Sequence, residues 1–132
     1  MTQICYQIPE LLHVPQLEHG VSTVSDGNLS YKWGEKNDVL TNRTNFLSKL
    51  SLELNDCVAL STRDSDIAVI VSSNDRSKGM TNIDDAIPGD ALITTDTSIA
   101  LFLLTADCLP IIYFDPNNNV LALAHLSWKA TE

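Results

Sequence analysis

The sequence predicts a mixed α and β chain in which strands outnumber helices, and three observations carry that expectation. Six short apolar runs rich in β-branched or aromatic residues follow one another at 57–60, 67–71, 91–94, 99–104, 109–114 and 120–124. One stretch has helical period instead, with Val39, Leu40, Phe46, Leu47 and Leu50 recurring at spacings of three, four and seven. The chain has 132 residues, 44% of them hydrophobic and 19% charged, enough for one domain with a real core and too few to plan for two. Residues 1–132 are therefore read as a single domain.

Taken in order, residues 1–16 hold no steady period and carry Pro9 and Pro15, so an irregular lead-in over the surface is expected. A first short strand is expected at 17–24, closed by the turn-forming Ser25-Asp-Gly-Asn28. A polar loop through Trp33, Gly34 and Asn37 leads to Asp38, which can cap the helix. The segment 74–89 is polar, contains Gly79, Pro88 and Gly89, and reads as a long surface loop. The last three runs are apolar at nearly every position, which implies strands covered on both faces, and one helix is too little cover.

Composition removes several classes of function. Seventeen acidic against eight basic side chains give a formal charge of -9, so a nucleic-acid backbone is repelled and no Lys/Arg cluster reverses this. The N-terminus has neither a basic region nor an apolar one of signal type, and no apolar run approaches the roughly 20 residues of a membrane span. A cytoplasmic chain with no nucleic-acid or membrane partner is the expectation. Cys5, Cys57 and Cys108 are odd in number and form no Cys-x-x-Cys pair, so reduced thiols are expected.

The sharpest local feature is Thr105-Ala-Asp-Cys-Leu-Pro110, a carboxylate and a thiol at the junction of two apolar strands. Taken alone, Cys108 suits inert packing, and His125 suits a hydrogen-bonded core imidazole. The turn cluster Asp115-Pro-Asn-Asn-Asn119 joins the last two runs into a hairpin. If Asp115 faces Val120, Pro110 faces His125 and Cys108 faces Ser127. Cys108 and His125 then share one face as diagonal neighbours about 7–8 Å apart, where a metal ion could lie between them. A register shifted by one residue would send them to opposite faces.

His19-Gly-Val-Ser-Thr23, Asn28-Leu29, Asn42-Arg43, Asp90-Ala-Leu-Ile-Thr94, the Thr105 to Pro110 motif and Ala124-His-Leu-Ser-Trp128 occur in an order that resembles the YfiH-like proteins. These are also called the multicopper polyphenol oxidase (laccase) domain family, and members act as purine nucleoside phosphorylases. The resemblance spans about residues 17–131. It implies an α/β (α+β) fold of mixed β-sheets covered by helices. It also implies one zinc held by a Cys matching Cys108, a His matching His125 and an earlier His in a Gln-Val-His-Gly motif. Arg63 stands where that earlier imidazole belongs, and a guanidinium offers no lone pair to a cation. Ser127 and Lys129 replace the family's Gly and Arg around Trp128. Family members continue for about as much chain again, so 1–132 reads as an incomplete laccase-like domain, or as one that self-associates to bury its apolar faces.

The function the resemblance implies is phosphorolysis of adenosine, inosine, guanosine or methylthioadenosine, with adenosine deamination as a side activity and a zinc site impaired at Arg63. Its partners are then a nucleoside and phosphate. Cys108 and His125 would hold the metal, and Asp107 would orient a ligand or substrate beside it. Asn28 and Arg43 are candidates for phosphate or substrate binding, although the place of Arg43 on the helix suits a surface ion pair. Copper oxidase chemistry of the laccase type needs many imidazoles, and this chain has only His13, His19 and His125. The alternative is a non-catalytic, degenerate or truncated family member that survives as a folded or oligomerising module.

Overall fold

A computed structural model describes residues 5–131. The chain divides into two compact units, Met1–Leu54 and Asn55–Glu132.

The first unit is built around one helix, α1 (Lys36–Ser48). It begins two residues before Asp38, with extended Glu35 in the capping position, so Asp38 sits in the first turn, where the helix dipole favours its charge. The buried face is Val39, Arg43, Phe46 and Leu47, with Leu40 and Leu50 half-buried at its margin. Cys5 and Leu29 complete the apolar core of this unit. The strand expected at 17–24 does not form. Val21 makes one antiparallel bridge to Tyr6, and Val24 is fully exposed at the start of a 3-10 turn, Val24–Asp26. The local chemistry explains the outcome: the carboxylate of Asp26 accepts from the Thr23 amide at 2.7 Å and from its hydroxyl at 3.2 Å, which coils the chain where a strand would run straight. The same carboxylate, buried, pairs with Lys49.

The second unit holds seven strands: β1 (Cys57–Ser61), β2 (Ala68–Ile70), β3 (Ile87–Pro88), β4 (Ala91–Thr94), β5 (Ala100–Phe102), β6 (Leu109–Asp115) and β7 (Val120–Leu126). They form a three-stranded sheet of order β3-β1-β5, in which both pairings are parallel, and a four-stranded sheet of order β2-β4-β7-β6. In the larger sheet β2 and β4 are parallel, whereas β4-β7 and β7-β6 are antiparallel. These are the mixed sheets expected. The segment 74–89 is no plain surface loop. It carries two 3-10 turns, Ser73–Asp75 and Ile83–Asp85, then β3, and it buries Met80 completely. Its polar composition concealed one apolar anchor and a strand too short to have a period.

The registers sort the larger sheet into two faces. Val69, Leu92, Leu123 and Ile112 form one row across it, and Leu92 has no exposed surface. Leu92 and Val69 pack with Val58 and Leu60 of β1, Ile87 of β3, and Val71, Ile99, Leu101 and Leu103, the core of the unit. The opposite face carries the row Ile70, Ile93, Ala122 and Tyr113, of which Ile70 is 81% and Tyr113 57% exposed. Leu109, on that face, is exposed as well. Among the described residues no helix is long and apolar enough to cross a membrane.

Candidate functional site

The hairpin has the expected register. Asp115 pairs with Val120, and the ladder runs through Pro110 with His125 to Leu109 with Leu126. Its turn is fixed locally: Asp115 accepts from the amides of Asn117 and Asn118 at 2.9 and 3.2 Å, and Asn119 takes a left-handed φ of 52°. By alternation His125 belongs with Leu121 and Leu123 on the core face, and it is 7% exposed. Cys108 lies one residue beyond the ladder, in a bend, and is half-buried, whereas Cys5 and Cys57 are buried. Asp107 is exposed in the same bend.

On its other side β7 pairs with β4, and that pairing brings His125 against a residue not singled out as functional from sequence. The His125 amide donates to the Asp90 carbonyl at 2.7 Å, and its Nδ1 lies 3.0 Å from Asp90 Oδ1. Asp90 Oδ1 also accepts from the amides of Arg63 at 3.2 Å and Asp64 at 3.1 Å. Asp90 Oδ2 accepts from the amides of Arg63 at 3.2 Å and Ser65 at 2.8 Å and from the Ser65 hydroxyl at 2.6 Å. Burial alone would raise the pKa of this carboxyl. The hydrogen bonds from Ser65, His125 and Arg63 outweigh burial and hold it below the ordinary aspartate value. An ionised carboxylate only accepts, so the proton on Nδ1 belongs to the imidazole. In the neutral ring Nε2 then carries the lone pair, and it has no hydrogen-bond partner among the described residues. A carboxylate that fixes the tautomer and orientation of a histidine in this way is the usual support of a metal-bound imidazole.

Arg63 therefore enters this neighbourhood through its main chain, and its side chain is exposed. The next residue, Asp64, has φ 54°, a left-handed conformation that favours glycine and that aspartate tolerates better than most. Asp64, Asp90 and His125 each offer a ligand atom, and these lie within 4.8 Å of one another, the single group of three metal-ligating side chains among the described residues. Ser127, two residues beyond His125, is buried, and its Oγ has no hydrogen-bond partner among the described residues.

Asn28 and Arg43 lie in the first unit. Asn28 closes a turn, accepting from the Ser30 amide at 2.9 Å and donating to its carbonyl at 3.1 Å. Arg43 is buried and does not lie on the surface, as its helical position had suggested. Its Nε donates to the Leu29 carbonyl at 2.8 Å, and the guanidinium stacks 4.4 Å from the Tyr31 ring centroid. His19 is also structural, its Nε2 accepting from the Ile8 amide at 2.7 Å.

The arrangement defines a strand-borne imidazole, oriented by a buried carboxylate, in a mixed-sheet protein. Two solved structures resemble this chain in fold. YlmD from Geobacillus stearothermophilus superposes with TM-score 0.76 at 30% identity, over 79% of this chain and 39% of that one. The Bacillus licheniformis protein YfiH gives TM-score 0.73 at 29% identity, over 76% of this chain and 38% of that one. The family model described as multi-copper polyphenol oxidoreductase laccase matches residues 14–132, and the chain belongs to that family. Among curated relatives, the protein named purine nucleoside phosphorylase YlmD of Geobacillus stearothermophilus is 32% identical over 99 residues, 74% of this chain and 36% of that protein. A Staphylococcus saprophyticus protein, also named purine nucleoside phosphorylase, is 38% identical over 64 residues, 48% of this chain and 24% of its own length. The chain spans well under half the length of these relatives.

Proposed function

We propose that this chain carries part of a zinc-dependent purine nucleoside phosphorylase site. The observation that carries the reading is His125, buried on β7 with Nδ1 held by Asp90 and with no hydrogen bond to Nε2 among the described residues. Asp64 and Asp90 each bring a carboxylate oxygen within 4.8 Å of a His125 ring nitrogen, and Cys108, at the mouth of the same hairpin, is not a member of that group. His125 and Cys108 would hold the ion, which when bound polarises a substrate group or acidifies a bound water. Asp90 fixes the imidazole, and Asp107, exposed beside Cys108, orients substrate. The substrates are a purine nucleoside and inorganic phosphate. A phosphate oxygen bonds to the sugar carbon, the glycosidic carbon-nitrogen bond breaks, and its electron pair and a proton end on the base. Arg43 and Asn28 serve the packing and turns of the first unit in this reading. The absence of a disulfide at Cys5 and Cys108 suits the reducing cytosol.

The test is base release from adenosine, inosine, guanosine and methylthioadenosine, followed chromatographically with zinc present and with or without phosphate. Phosphate-dependent release that His125→Ala abolishes is expected. Ammonia release from adenosine scores the deaminase side activity. No base release from any of the four would refute the phosphorylase reading and favour a non-catalytic module.

A further inference from the structure

β6 ends the larger sheet: β7 is its one sheet neighbour among the described residues, and its other edge is open. The direction of the main-chain groups on that edge follows from β7. The His125 amide donates toward β4, to the Asp90 carbonyl. In an antiparallel strand the N–H and C=O of one residue point to the same side, and directly opposed residues exchange both bonds or neither. His125 therefore turns its main chain away from β6, and Pro110, opposite it, turns its own toward the open edge. By alternation Ile112 and Phe114 do the same, while Leu109, Ile111 and Tyr113 bond to β7. Pro110 thus stands where its missing N–H costs the sheet no bond.

Apart from Pro110, this edge lacks the usual devices that keep a sheet from pairing with another chain. It is seven residues long, and its register is one-for-one throughout, without a bulge. Leu109 to Phe114 contains no charged residue. Asp115, the last residue, has its carboxylate held by Asn117 and Asn118 in its own turn. Leu109, Pro110 and Tyr113 are exposed and Ile111, Ile112 and Phe114 half-buried, so solvent reaches the strand.

We propose that β6 pairs with β6 of a second copy of this chain, antiparallel about a twofold axis at Ile112. Ile112 is the middle residue of Leu109–Asp115, so this axis uses the whole strand. The two Ile112 residues exchange both bonds, and each Phe114 amide donates to the Pro110 carbonyl of the second copy, about four bonds in all. An axis at Ile111 would set each Pro110 against Ile112 and halve that number, because proline has no N–H to return. On the exposed face Ile111 of each copy lies opposite Tyr113 of the other, in the closer, non-bonded kind of pair. An aromatic ring against a β-branched side chain favours such pairing. A second copy is the fitting occupant because the strand is complementary to itself and a twofold contact closes, leaving no β6 edge to recruit a third chain. The formal charge of -9 on each copy opposes association, but at 0.15 M salt charges farther apart than about 8 Å are largely screened. The inference is independent of the phosphorylase reading.

Sedimentation equilibrium of the 132-residue chain at that salt concentration, over a wide range of protein concentration, tests this. A reversible monomer–dimer equilibrium with no larger species is expected. Tyr113→Lys alters an exposed side chain and should leave circular dichroism unchanged. Because its pair occurs twice in the dimer, it should raise the dissociation constant about tenfold or more. Tyr113→Phe keeps the ring and should leave the dimer intact. Ile111→Glu should weaken it as Tyr113→Lys does, and mixing these two variants in equal amounts should restore a dimer, since the pairing sets the introduced ammonium against the introduced carboxylate. A monomer at every concentration overturns the proposal, as does a dimer that Tyr113→Lys leaves unchanged. If both charged variants fold and weaken the dimer but their mixture does not recover it, the register about Ile112 is overturned. Tyr113→Lys against Tyr113→Phe decides the surface whatever the folding of Ile111→Glu.

Discussion

Replacing Asp90 by asparagine changes almost no volume and removes one charge, which makes it a sharp probe of how the site is held. The amide keeps one acceptor oxygen and puts an NH2 on the other side. Placed at Oδ2 the NH2 confronts the Ser65 amide, and placed at Oδ1 it confronts the Asp64 amide and the N–H of His125. At least one donor in a site that is 4% exposed is then left without an acceptor, at about 1–3 kcal/mol, and the surviving bonds lose their charge assistance, about 1 kcal/mol more. The expected loss is about 3 kcal/mol. At roughly 3–5 °C per kcal/mol for a chain of this length, Tm should fall by about 9–15 °C. The pH dependence fixes the sign. The carboxyl is held below the ordinary aspartate value, so its stabilisation is complete above about pH 4 and is lost as pH falls through the folded-state pKa. Urea titrations followed by circular dichroism at pH 7 and in steps below pH 4 should show the gap between wild type and variant closing on acidification. Equal urea midpoints at pH 7 would refute the account of Asp90 as the anchor of His125 and residues 63–65.

Three further outcomes are expected. Arg43→Met should destabilise the chain by about 1–3 kcal/mol in urea unfolding, because it strands the Leu29 carbonyl, while leaving the KM for phosphate unchanged; a raised KM with unchanged stability would return Arg43 to phosphate binding. Leu92→Ala should cost about 2–5 kcal/mol by the same assay, since the side chain is fully enclosed in the core cluster. The row Ile70, Ile93, Ala122 and Tyr113 should bind an apolar dye such as ANS in the folded chain, and Ile70→Lys with Tyr113→Lys should remove most of that fluorescence at unchanged circular dichroism; undiminished fluorescence would place the dye elsewhere.

What could be read from the sequence was what is decided locally. The hairpin register follows from Asp115 to Asn119 alone, because the aspartate caps its own turn, and that register correctly placed His125 opposite Pro110. Strand runs such as 91–94 were legible because alternation and β-branching act within a few residues. Asp90 was not legible as a functional residue, since its partners lie 25–27 residues before it and 35 after it and meet only through β-pairing. The available signal was an acidic residue placed after Pro88-Gly89 at the head of an apolar strand, where a buried charge needs a reason. The strand expected at 17–24 failed because a side-chain cap at Thr23 and Asp26 outcompeted a ladder that had no long partner. The burial of Arg43 was not legible, because helical spacing says which face a residue shares and not whether a carbonyl such as that of Leu29 waits there.

The grip of Asp90 on residues 63–65 falls mainly on peptide N–H groups, which every amino acid except proline supplies. Side chains at 63 and 64 are thus spared from holding the backbone in place, apart from the demand of φ 54° for glycine, asparagine or aspartate at 64. Such a segment can exchange its chemical groups without disturbing the scaffold beneath. A library randomised at 63 and restricted to those three residues at 64 should yield mostly folded variants. They would differ in the side chains that surround Asp90 and His125 while the architecture stays fixed.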